Sequence, residues 1–332
     1  MKSSEEQLIL LKLKKDSGLD HPDSKYATPA MYNWVKSLAM IIDSSDDFSH
    51  ENLVKLYSGK PRLKEDEDAK FIALTYDNVM MALNYHSSLK AMLNHSNHSD
   101  FLINGIISWY YSIYNSAKAM LTANMQPLED PNHSTVAQRW YCDFVLTHKI
   151  PAPFNIGVSS LSKNEEKALD YKEDAREINY NLYKNPNNIN EAEIAVKMYL
   201  SGVIKNEREK VEKRVKKDYK IEDFRKKINS IKRDEAFVKS RHIGFLNMAF
   251  RYRGKANYRD ALFLTYNIDA LPRQKELIKN MVKTSDAFLK LTSYYLYYRL
   301  PKDYWHMLLN DLKTHSTLSE NGETLYYQQK RK

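Results

Sequence analysis

No proline interrupts the chain between Pro61 and Pro127, or between Pro186 and Pro272. A helix interior tolerates proline least, because it lacks the N–H and its ring clashes with the preceding turn, so both windows have room for long uninterrupted helices. Only 8 Gly and 10 Pro stand among 332 residues, too few for the turns of a sheet protein. The chain reads as all-α, with length for one large domain or two.

Periodicity divides it further. Residues 1–70 read as a small helical unit, with Thr28-Pro29 as a helix start before MYNWVKSLAMII and a short helix over NLVKLY. A second part, 71–150, carries a helix through TYDNVMMALNYHSSLKAML, a polar turn HSNHSD, a helix from about Phe101, and another after the loop ending NHSTV. Residues 151–240 open with PAPFNIGVSS, continue as a helix over NEEKALDYKEDAREINYNLYKN, and enter a charged helical segment with Asn190 as its cap. Part four, 241–313, holds a helix bent near Gly254 and resumed over YRDALFL, then two helices divided at Pro301; 314–332 reads as a loose basic tail.

The stretch ISWYYSIYNSAKAML, residues 107–121, sorts into faces at 3.6 residues per turn. Tyr110, Tyr114, Ala117 and Leu121 make one stripe, Trp109, Ile113 and Met120 its neighbour, and Tyr111, Asn115, Lys118 and Thr122 lie opposite. So wide an apolar arc marks a buried helix, and Ser116 and Ala117 let another helix approach closely.

Charge is concentrated. Residues 205–241 carry fifteen Lys or Arg against eight Asp or Glu, most of the formal +9 of the whole chain. Such a segment attracts polyanions without reading sequence, although mixed-charge helices also serve simply as solvated faces. Its apolar residues form a narrow seam from Leu200 to Ile231, the pattern of a helical hairpin or arm. The single cysteine, Cys142, forms no internal disulfide and suits a reducing compartment. With no signal-like start and no run of eighteen apolar residues, the expectation is a cytoplasmic protein outside the membrane.

The helix YYSIYNSAKAML, the loop ending NHSTV, and the later RYRGKANYRDALF together resemble the HEPN superfamily of helical-bundle domains. The matching positions are Tyr110, Tyr111, Tyr114, Ala117, Lys118, Ala119 and Leu121, then His133, then Arg253, Asn257 and Tyr258. Asn257 stands where short members have an acid, and about a hundred residues separate the His133 helix from Tyr258. The resemblance thus implies a HEPN-like bundle with a charged helical arm inserted in it. It further implies an RNA-directed effector of a prokaryotic defence or toxin–antitoxin system, acting as a homodimer, with RNA as the expected partner and an antitoxin or other protein as a further one.

Family ribonucleases use Arg, four to six residues, then His, with the histidine as acid or base and the arginine on the phosphate charge. Arg299 and His306 are the one such pair here and the candidate catalytic residues; the plain alternative is a surface charge and a packed histidine. Candidate RNA- or nucleotide-binding residues are Tyr111, Lys118 and His133 together with Arg251, Arg253, Lys255, Tyr258 and Arg259, where cations crowd beside rings able to stack on bases. No Gly-rich phosphate loop, HExxH or cysteine cluster is present, so neither metal nor cofactor is expected. Two other readings stay open: a non-catalytic module binding a protein or nucleotide through the 205–241 arm, and a duplex-DNA binder using that arm.

Overall fold

A computed structural model describes residues 22–95, 98–126, 132–256, 271–318 and Leu325. These residues form twelve α-helices and a two-residue antiparallel ladder. In chain order the helices are α1 (Pro22–Ser44), α2 (His50–Tyr57), α3 (Glu65–Leu93), α4 (Leu102–Ala123), α5 (His133–Trp140), α6 (Lys163–Lys167) and α7 (Lys172–Glu177), followed by α8 (Ile189–Tyr219), α9 (Lys227–Val238), α10 (Phe245–Ala256), α11 (Leu271–Arg299) and α12 (Lys302–Thr314). The protein is all-α.

The helix α4, which contains the aromatic stretch, is the axis of the bundle. It packs most extensively on α3, then on α11 and α10. Its small polar residues explain the close approach: Ser116 donates to the Ser112 carbonyl, and the Ser285 hydroxyl of α11 donates to Ser112 Oγ at 2.9 Å. Trp109, fully buried, donates its indole N–H to Thr284 Oγ1 at 2.7 Å.

Trp34 of α1 lies inside this core. It stacks on Tyr199 of α8 at 4.3 Å and meets Trp109 edge-on at 5.7 Å. The described part of residues 1–70 is therefore built into the main bundle instead of standing as its own unit. Helix α1 also starts at Pro22, ahead of the Thr28-Pro29 start, and carries Pro29 within it. At the other end, Leu325 is buried, and its carbonyl accepts from Ser293 Oγ, so that part of the tail is anchored.

Where one helix was expected over 164–185, two short ones form. Asp170 and Asn179 adopt φ of +40° and +49°, a left-handed conformation that Asp and Asn tolerate and that ends a helix. The cap of α8 is Asn188, not Asn190: its side chain accepts from Glu191 N–H, while Glu191 accepts from Asn187 N–H. The hairpin of α8 and α9 turns at Lys220, whose φ is +52°. Cations stack on rings inside it, with Lys216 over Phe224 at 5.4 Å and Lys232 over Tyr219 at 4.7 Å.

The ladder closes the neck of this excursion. Gly157 pairs with Gly244 and Val158 with Ile243. A Cβ on Gly157 would meet the Tyr141 ring at 2.3 Å and the Ile243 carbonyl at 2.7 Å, so only glycine fits where the outgoing and returning strands cross the ring. The chain then enters α10, which packs on α4. The continuation expected over YRDALFL lies outside the described residues.

Candidate functional site

The side chains of α4 that escape the core meet α5 and α10. Asn132 caps α5 by accepting from Thr135 N–H, which fixes His133 at the first helical position. There the His133 ring packs against Tyr114 at 4.6 Å and stacks on Phe250 of α10 at 4.7 Å. The Tyr110 hydroxyl lies 2.6 Å from its Nδ1. From α10, Arg253 donates through Nη2 to the Tyr111 hydroxyl at 2.9 Å, its guanidinium 5.3 Å from the Tyr111 ring centre. Arg253 Nε is shielded from solvent and has no hydrogen-bond partner among the described residues.

These groups perturb one another. Burial, then Arg253 and Lys118, push the His133 pKa down, which favours the neutral ring. Burial lowers Lys118 and raises Tyr114 to about 12, and it raises Tyr110 still further, so that phenol keeps its proton. Among the described residues, the Tyr110 hydroxyl has no acceptor other than His133 Nδ1. A phenol that donates there leaves the imidazole proton on Nε2.

The ensemble opens into a cleft of about 600 Å³ between α5, α8 and α10, bordered by His133, Phe250, Arg251, Arg253, Glu207 and Lys210. That size accommodates a small ligand. Arg241 donates to Ser134 Oγ at 2.6 Å on its rim. Cations outnumber acids around a neutral histidine and a helix N-terminus, an arrangement suited to an anion with an aromatic part.

The residues singled out in the sequence divide sharply. Tyr111, Lys118, His133, Arg251 and Arg253 are described; Arg253 reaches Tyr111, and Arg251 donates to the Gly202 carbonyl at 3.3 Å. The side chain of Lys255, and Tyr258 and Arg259 altogether, lie outside the described residues. Arg299 and His306 stand in different surroundings. Arg299 is buried, donating through Nε to the Ala123 carbonyl at 2.9 Å and through Nη1 to the Pro61 carbonyl, so its guanidinium ties the end of α4 to the loop before α3. His306 is on the exposed side of α12, whose other face buries Trp305 and Leu308. Spacing along the chain said nothing about which way either side chain faces.

Phe250 and the contact of Tyr110 with His133 were not singled out by sequence, whereas Asn206, Glu207 and Lys210 of the α8 wall fall within the charged 205–241 segment. A second polar cluster has the form of a triad: His86 Nδ1 is 2.9 Å from Ser285 Oγ, and Nε2 is 2.9 Å from Asp286 Oδ1. The latter approach is close but misaligned for a hydrogen bond. Ser285 is fully buried and donates to Ser112, so no substrate reaches it, and the cluster ties α3, α4 and α11 together.

Among the described residues no group of three or more His, Cys, Asp or Glu is arranged to hold a metal, and no helix is long and apolar enough to cross a membrane. No protein-family model matches the chain, and no curated protein or solved structure matches it either.

Proposed function

We propose that the protein is a HEPN-like, RNA-directed cytoplasmic effector whose cleft at His133 and Arg253 grips a phosphate and an adjoining base. The observation that carries this reading is the Arg253 guanidinium, held against two tyrosine rings with its Nε unpartnered among the described residues, beside a histidine in contact with Tyr110. A buried donor without a partner is unfavourable by about 1 to 3 kcal/mol, and an anionic ligand relieves that penalty. Phe250 offers a ring face for a base.

Binding requires only these groups. Cleavage through Arg299 and His306 would require an arginine already committed to two carbonyls. Purified protein with labelled single-stranded RNA in EDTA tests both: binding that Arg253→Gln weakens at least tenfold, with the RNA intact, supports the grip. Cleavage abolished by His306→Ala would restore the other pair. RNA binding unchanged by Arg253→Gln would remove the cleft from consideration.

A further inference from the structure

Lys210, at the lip of the cleft, begins a row of cations that continues along α8. At 100° per residue, Lys213, Arg214 and Lys217 fall with it within about a 100° arc, the arc that also contains Val203 and Asn206 of the cleft wall. Glu209, Glu212 and Asp218 fall outside that arc. All four cations are exposed. Lys210 pairs with Glu207 at 2.5 Å; among the described residues, none of the other three has an ion-pair partner. The hairpin's interior cations differ, because Lys216 and Lys232 lie over Phe224 and Tyr219. The seam to α9 occupies another side of α8, where Val215 is buried. The row is therefore apart from the hairpin's packing, and among the described residues Lys210 alone of it is paired with an acid.

We infer that this row is a backbone track for a single-stranded polynucleotide, continuous with the cleft, so that the preferred ligand is several nucleotides long rather than a mononucleotide. The inference rests on the cleft reading above. From Lys210 to Lys217 the helix rises about 10 Å, room for about three nucleotides at the 3.4 Å spacing of a stacked strand. An acidic protein segment would satisfy the same charges but has no use for the ring faces at the cleft end, and the joined surface favours nucleic acid.

The test is fluorescence anisotropy of labelled uridine dinucleotide, tetranucleotide and dodecanucleotide against the wild type and the triple variant Lys213→Gln, Arg214→Gln, Lys217→Gln. Glutamine keeps helix propensity at exposed positions, and matched melting curves verify the fold. The dinucleotide is expected to bind both proteins alike. Affinity should rise with length only in the wild type, and the variant's log–log salt slope should be shallower by about 2, from three contacts at about 0.7 each. Between 50 and 200 mM salt the variant then loses roughly 20-fold less affinity than the wild type. Equal length dependence and equal slopes in the two proteins would overturn the track while leaving the cleft intact. A wild type that binds no oligomer removes cleft and track together, and tighter binding of poly-glutamate than of the dodecanucleotide would overturn the track in favour of an acidic protein.

Discussion

The Tyr110 hydroxyl and His133 Nδ1, 23 residues apart in sequence and on different helices, meet at 2.6 Å. Burial keeps the phenol protonated, and a phenol that donates to Nδ1 sets what the ring presents. His133 then shows Nε2–H as a donor. Removing the hydroxyl with Tyr110→Phe should lose the Nε2–H preference in nitrogen-15 NMR of the imidazoles and lower stability by about 1 kcal/mol. An unchanged tautomer in the variant would show that something else orients the ring.

The depressed pKa of His133 has a thermodynamic sign. The unfolded chain protonates this histidine at its ordinary value near 6.5, while the folded protein binds the proton less readily, so acid favours the unfolded state. The contribution should be constant above about 6.5 and decline as pH falls through that value toward the folded pKa. Denaturant melts at stepped pH, comparing wild type with His133→Gln, isolate it. The variant should lose less stability than the wild type between neutral and mildly acidic pH, and parallel curves would contradict the assigned direction.

Arg299 and His306 should behave as different kinds of residue. Arg299→Met leaves the Ala123 and Pro61 carbonyls without their donor, and should cost about 2 to 4 kcal/mol of stability. His306→Ala removes an exposed side chain and should change stability by under about 0.5 kcal/mol. Thermal denaturation of the two variants decides it, and equal small effects would free Arg299 for another role.

Gly157→Ala places a methyl against Tyr141 and the Ile243 carbonyl where two chain segments cross. The strain should destabilise the protein by about 2 to 3 kcal/mol, read as a lowered denaturant midpoint. Gly59, with open space around it, should accept alanine with little change.

Much of this architecture was legible along the chain, and the reason is periodicity. The aromatic stretch showed its buried faces because Trp109, Ile113 and Ala117 recur at helical spacing, and the charged seam marked α8 and α9. What failed depended on single residues or on tertiary context. Asp170 and Asn179 broke a helix that periodicity continued, because their left-handed backbone leaves no hydrophobic signature. Trp34 fits a small unit or a large core equally well until Tyr199 lies against it. The cleft was partly visible, since Tyr111, His133 and Arg253 carried it, yet the 2.9 Å bond between Arg253 and Tyr111 spans 142 positions and no local pattern encodes it. Arg299 and His306 show the converse, a spacing whose two side chains face different surroundings.

The most direct test of the central claim is the pH titration of the His133 ring by NMR, with and without uridine 3′-monophosphate. A phosphate held beside Arg253 brings negative charge to the imidazole and should raise its pKa, with saturable shifts that Arg253→Gln abolishes. A His133 titration curve that the nucleotide leaves unmoved, in a folded protein that still binds RNA, would place the binding elsewhere and contradict the account.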